Sequence, residues 1–98
     1  MNVSNITKLI EEIAPLALQE DYDNAGLLVG DETMEVTGAL LCIDITEDVI
    51  DEAINKNCNL IISHHPLIFT GLKKLTGQNE TQICVIKAIK HNIAIYAA

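Results

Sequence analysis

Two adjacent histidines, His64 and His65, are the residues of this sequence whose type and spacing best fit chemistry. They stand in the stretch LIISHHPLIF, residues 60–69, directly after an apolar run that predicts a buried strand. Pro66 restricts the preceding residue to extended backbone and interrupts regular strand pairing. We therefore expect both imidazoles at the carboxyl end of a strand, which is where parallel sheets bind ligands.

Neutral imidazole is a good ligand for zinc, iron, nickel or manganese. Because neighbouring side chains on a strand point to opposite faces, the two histidines are poorly placed to share one ion. They can instead each bind one ion of a close pair, and such a site also needs a bridging carboxylate or water. The doublet equally fits a solvated loop, or one hydrogen-bonded histidine beside an exposed one. The residues alone leave these interpretations open.

Several acidic and amide residues are candidate partners for the imidazoles. Asp44 follows the preceding predicted strand, where it could orient an imidazole or cap the next helix, and the sequence favours neither role. In the stretch DYDN, residues 21–24, turn chemistry is the better explanation for Asp21. Asp23 and Asn24 stay open between turn chemistry and a place near the histidines.

The other potentially reactive side chains do not indicate a catalytic function. No glycine-rich phosphate loop, Walker A motif or G-x-S-x-G turn occurs, and Ser63 beside His64 does not by itself make a serine hydrolase. His91, near the end of a predicted helix, fits a structural role. We expect the 3 cysteines to be reduced, buried small hydrophobes, with zinc binding the lesser alternative because no C-x-x-C spacing occurs. They are Cys42, Cys58 and Cys84.

Composition limits the partners of the chain. It has 98 residues, 49% of them hydrophobic, and a net charge of −8 without any arginine. Because phosphate recognition depends on Lys and Arg, we expect no direct nucleic-acid partner. We also expect no membrane association and a cytoplasmic location, since no apolar run could span a bilayer and no secretory signal opens the chain.

Hydrophobic periodicity predicts three helices and four strands along the chain. The helices are expected at 4–14, 44–57 and 79–92, with N-caps at Ser4, Thr46 and Asn79, and a further helical turn near 15–19. The strands are expected at 27–30, 36–43, 59–63 and 93–98, the second of them as a buried, near-continuous apolar run.

The order of these elements predicts an α/β fold. Strands that alternate with helices after residue 36 indicate a parallel β-α-β-α-β sheet core with right-handed crossovers, preceded by the amino-terminal helix and a short strand. We expect residues 1–98 to form a single domain. Its last strand reaches Ala98, at the edge where a parallel sheet binds ligands, which leads us to expect that 98 residues are not the complete functional unit.

Two stretches together resemble a known family. IAPLALQEDYDNAGLLVGD resembles its first signature, a helix followed by D-N-x-G-L-x-x-G, and NLIISHHPLIF is similar to its second, a strand ending in H-H-P. CIDITEDVIDEAI and HNIAIYAA also fit in pattern and order. The family is the Nif-three-like family, whose members are named GTP cyclohydrolase I type 2 homologues, and the resemblance is to its amino-terminal part.

The resemblance implies two divalent metal ions per full-length subunit, with His64 and His65 each binding one ion. It implies self-association into ring-shaped hexamers. It also implies that the chain is an amino-terminal fragment of a larger, two-part protein, with further ligands beyond the position of Ala98, so that the metal site in this chain is half built. The identity of the metal is left open among zinc, iron, nickel and manganese.

Three functions follow as hypotheses. The first is a metal-dependent hydrolase that acts, in the full-length protein, on a nucleotide-like small molecule. The second is a metal-binding adaptor or regulatory scaffold without catalysis. The third is a fragment with no independent activity, since the catalytic residues stay unknown and we expect the chain alone to be inactive.

Overall fold

The structure, a computed structural model, describes residues 1–13, 24–68 and 71–98. Within these ranges the chain forms three helices and four strands. The helical turn expected near 15–19 lies outside the described residues. The elements in chain order are α1 Val3–Ile13, β1 Gly26–Val29, β2 Ala39–Cys42, α2 Glu47–Asn55, β3 Leu60–Ser63, α3 Glu80–Lys90 and β4 Ala94–Ala97.

Side-chain caps define where the helices begin. The predicted caps of α2 and α3 are confirmed, because Thr46 accepts the N–H of Val49 at 3.3 Å and Asn79 accepts that of Gln82 at 2.9 Å. The prediction of Ser4 as the cap of α1 is wrong. There, the side chains of Asn2 and Asn5 each accept the other's backbone N–H at 2.9 Å, which starts the helix at Val3.

The four strands form one mixed sheet in the order β1-β4-β3-β2. β2, β3 and β4 are parallel, as expected, whereas β1 pairs antiparallel with β4. The expectation of a purely parallel sheet is therefore corrected at this edge. Alternation of helices and strands fixes the direction only of strands joined by crossovers, and an antiparallel strand at the edge of a parallel sheet is common.

Two apolar clusters cover the two faces of the sheet. Ile61 and Ile95 pack with residues of α2 and α3 on one face. On the other face, Leu60 and Tyr96 pack with Val3 of α1. Alternating side chains of β3 and β4 thus serve both layers, which is why these central strands are almost continuously apolar.

The expectation that residues 36–43 form a buried strand is wrong for one face of β2. Leu41 and Ile43 are 72% and 65% exposed, while Leu40 and Cys42 pack against the α2–α3 cluster. β2 lies at the edge of the sheet, and the cluster around α1 contains no residue of β2. A continuous apolar run therefore predicted the strand but not its place at the edge.

No helix in the described part of the chain has the length and apolar character needed to cross a membrane.

Candidate metal centre

The histidine doublet lies at the carboxyl end of β3, beside the end of β2. The register of the two strands pairs Ser63 with Cys42. Beyond that pair, the N–H of His64 donates to the carbonyl of Cys42 at 3.0 Å, and the N–H of His65 donates to that of Ile43 at 2.9 Å. The ladder thus continues past the strand ends and fixes the backbone of both histidines against β2.

The imidazoles of His64 and His65 lie side by side. Their ring centroids are 4.9 Å apart and the ring planes are inclined by 42°. The chain bends at both residues, so they do not follow the alternation of a regular strand, on which the rings would point to opposite faces. Both side chains are exposed, and a ligand can reach them.

Asp44 contacts the second imidazole. Its Oδ1 lies 2.7 Å from Nδ1 of His65, with the two side chains 66% and 58% exposed. Because an ionised carboxylate only accepts, a neutral His65 donates its Nδ1–H here and its Nε2 lone pair is left free for a ligand. The capping alternative for Asp44 is not what the structure shows, since Thr46 caps α2.

The doublet and Asp44 fit part of a metal site. Two imidazoles at this separation can each reach one ion of a pair spaced by about 3.5–4 Å. A histidine ligand whose other nitrogen donates to a carboxylate is the usual arrangement at protein metal sites. However, the described residues contain no group of three or more His, Cys, Asp or Glu side chains that could hold an ion. They therefore supply only some of the ligands that a complete centre needs.

The remaining histidine and the cysteines do not join this site. His91 is the exposed C-cap of α3, at the opposite end of the sheet, where β4 begins. Cys84 is buried as expected, and burial raises the pKa of its thiol to about 11, whereas Cys58 is only half-buried. Cys42 is also half-buried, and burial, followed by the charges of Asp44 and Glu52, raises the pKa of its thiol. Since metals bind the thiolate, a raised pKa disfavours these two thiols as ligands.

One residue of the DYDN stretch has a defined contact. The side-chain amide of Asn24 donates to the carbonyl of Ile68, so it ties the start of β1 to the segment that follows the doublet. Asp21 and Asp23 lie outside the described residues. This contact could not be predicted from the sequence, because the partner lies 44 residues away and is a backbone carbonyl, which leaves no trace in residue type.

Comparison with known proteins gives a consistent set of matches. A sequence model of the family described as Duf34/NIF3 (NGG1p interacting factor 3) matches residues 1–98. A Clostridium acetobutylicum protein named GTP cyclohydrolase 1 type 2 homolog is 45% identical over 98 residues, which is 100% of this chain and 37% of the relative. The chain thus spans less than two-fifths of that relative's length.

Solved structures share the fold. The crystal structure of Staphylococcus aureus protein SA1388 superposes with a TM-score of 0.94 at 43% identity and covers 99% of this chain and 31% of its own. The crystal structure of a Bacillus cereus protein related to NIF3 superposes with a TM-score of 0.94 at 41% identity, and the match covers 100% of this chain and 27% of the Bacillus cereus chain. The mixed α/β sheet described above is therefore similar to part of larger proteins.

Proposed function

The chain belongs to the Duf34/NIF3 (NGG1p interacting factor 3) family, and we propose that it is the amino-terminal part of a dinuclear metal-binding protein. In this proposal His64 and His65 are each a ligand of one divalent ion. The observation that carries it is the 2.7 Å contact between Asp44 and Nδ1 of His65, beside a second exposed imidazole. That contact holds the Nδ1 proton and leaves the Nε2 lone pair free for a metal ion.

The proposed activity of the full-length protein is metal-dependent hydrolysis of a nucleotide-like small molecule. The name shared by the curated relatives, GTP cyclohydrolase 1 type 2 homolog, supports this class of reaction. A bound divalent ion would supply a hydroxide at neutral pH by lowering the pKa of a water molecule. Asp44 would keep the imidazole of His65 oriented and its Nδ1 protonated throughout. Because this chain has no arginine, a polyphosphate would have to be gripped by other residues of the full-length protein.

A metal-binding adaptor or scaffold without catalysis is the second candidate. The family description, an interacting factor, is the reason to retain it. In that case the full-length protein would bind metal through His64 and His65 without turnover, and its self-association and partner binding would not depend on the metal.

Elemental analysis of metal per chain tests the binding proposal. We expect the wild-type protein, after incubation with Zn²⁺ and removal of free ion, to retain metal that His64→Ala/His65→Ala loses. His91→Ala is the matched control, because it removes an exposed histidine from the opposite end of the sheet, and it should keep its metal. Circular dichroism establishes that each variant is folded. Metal retained by the double variant would contradict the proposal, whereas folded wild-type protein without metal would overturn binding by this chain alone and move the test to the full-length protein.

A second experiment separates hydrolase from adaptor. Hydrolysis of GTP by a full-length member that is lost on the change equivalent to His64→Ala, in a folded protein, supports the hydrolase. Unchanged assembly and partner binding in the metal-free variant, without turnover in either protein, supports the adaptor.

A further inference from the structure

Ser63 is a buried polar residue beside the doublet. It ends β3 with 1% of its surface exposed, and its hydroxyl donates to the carbonyl of His65 at 2.7 Å. A buried hydroxyl must find a partner or lose free energy, and this one uses the backbone of the second histidine. The hydrogen bond therefore joins the rigid end of a central strand to the residue whose imidazole contacts Asp44.

The position of this hydrogen bond explains the bend of the chain. It spans two residues and draws the carbonyl of His65 back towards β3, which is incompatible with a fully extended continuation of the strand. On the other side, the N–H groups of His64 and His65 are held by carbonyls of β2. The N–H of His65 is thus held by the carbonyl of Ile43, at the end of β2, and the carbonyl of His65 is held by the hydroxyl of Ser63.

The carbonyl of His65 has a particular need for this partner. The next residue, Pro66, carries no N–H and prevents the strand from extending regularly into a further ladder. Without the hydroxyl, the peptide that follows His65 loses its anchor to β3, and the backbone at the Cα that bears the imidazole can shift. A change of ring position by even 1 Å would break the 2.7 Å contact with Asp44, since hydrogen bonds weaken steeply beyond their normal range.

We propose that Ser63 is a positioning residue, whose hydroxyl fixes the carbonyl of His65 and thereby holds the imidazole in its contact with Asp44. The consequence for metal affinity rests on the proposed function. The positioning itself does not, because it involves only hydrogen bonds between residues of this chain.

The first test uses metal-free protein. Long-range ¹H–¹⁵N spectra, recorded where imidazoles are neutral, report which nitrogen of His65 carries the proton. We expect the Nδ1–H form in the wild type and a mixture with the Nε2–H form in Ser63→Ala. Ser63→Thr keeps the hydroxyl and should return the spectrum towards the wild type. Thr7→Val is the matched control, because Thr7 is also buried and its hydroxyl donates to the carbonyl of Ser4, within α1.

The second test measures Zn²⁺ affinity by competition with a chelating dye. We expect Ser63→Ala to bind about 10-fold more weakly than the wild type, as is common when a group that orients a ligand is lost. Thr7→Val should bind normally.

The outcomes separate the two proposals. A His65 spectrum unchanged in Ser63→Ala, or changed equally in Thr7→Val, would overturn the positioning role whether or not metal binds. A changed spectrum with unchanged Zn²⁺ affinity would overturn its effect on the metal. Wild-type protein that binds no Zn²⁺ would overturn metal binding by this chain alone, and the spectra would still decide the role of Ser63.

Discussion

His65 and Asp44 meet across two neighbouring parallel strands, with Nδ1 of the histidine 2.7 Å from Oδ1 of the aspartate. The strand register pairs Ser63 with Cys42. His65 lies two positions after Ser63, and Asp44 lies two positions after Cys42. Because parallel strands keep equivalent positions side by side, a 21-residue separation in sequence becomes a direct contact. The register of β2 and β3 is thus what builds this part of the site.

Replacement of Asp44 tests the value of that contact. If His65 binds metal as proposed, Asp44→Asn removes the carboxylate charge that would strengthen it as a ligand, so we expect Zn²⁺ affinity to fall by about 10-fold or more. Stability should change little, because both side chains are largely exposed. Isothermal titration with Zn²⁺ measures the affinity. Asp48→Asn, at another exposed carboxylate, is the control, and an equal loss in both variants would show that overall charge is responsible.

The uncovered face of β2 predicts a contrast between two leucines. Leu60 is fully buried, whereas Leu41, on the neighbouring strand, is 72% exposed. We expect Leu60→Ala to lower the free energy of unfolding by about 2–5 kcal/mol, and Leu41→Ala to change it by less than about 0.5 kcal/mol. Urea unfolding followed by circular dichroism gives both values. A large loss in Leu41→Ala would mean that this face is covered in solution.

The sequence predicted the elements of the fold better than their arrangement. Thr46 and Asn79 could be identified as caps because a helix start leaves a local signal, a hydrogen-bonding side chain ahead of an apolar stripe. The exposure of Leu41 could not be predicted, because an apolar run does not reveal which strand lies at the edge. The direction of β1 was missed for the same reason, since pairing with β4 is a non-local choice.

In the candidate site, too, the residues could be predicted from the sequence better than their contacts. His64 and His65 stood out by type, spacing and position after a strand, and the structure places them at the expected edge. Whether Asp44 contacted an imidazole or capped a helix depended on strand register, which the sequence does not specify. The contacts of Asn24 and Ser63 could not be predicted, because each side chain donates to a backbone carbonyl.

A side chain at Gly30 is predicted to destabilise the fold. Its φ is +110°, and a Cβ there would lie 2.8 Å from both Cα and Cβ of Ala94, the first residue of β4. We expect Gly30→Ala to lower the free energy of unfolding by about 1–3 kcal/mol, from backbone strain and displacement of β4. Gly71→Ala is the matched control, because no atom of the described residues other than its chain neighbours lies within 4 Å of its added Cβ, and it should be neutral or slightly stabilising. Thermal unfolding compares them, and equal melting temperatures would contradict the prediction.

Because the phenol of Tyr96 is buried, we expect a loss of stability at alkaline pH. Its side chain is 1% exposed, and its hydroxyl donates to Oε2 of Glu11 at 3.0 Å. Burial first, and then the hydrogen bond and charge of Glu11, raise the pKa of this phenol to about 12. An unfolded tyrosine titrates near pH 10, so between about pH 10 and 12 the unfolded chain loses a proton that the folded chain keeps. The contribution of Tyr96 is therefore complete below about pH 10 and is lost as the pH rises towards 12.

Replacement by phenylalanine isolates this effect. We expect Tyr96→Phe to lower the free energy of unfolding by about 1 kcal/mol at neutral pH, through loss of the hydrogen bond to Glu11. The difference in the free energy of unfolding between wild type and variant, called the gap below, should then narrow as the pH rises above about 10. Urea unfolding at a series of pH values measures the gap, and the lysines and Tyr22, common to both proteins, cancel in the difference. A gap that stays constant up to about pH 11 would mean that Tyr96 ionises as readily in the folded chain as in the unfolded one.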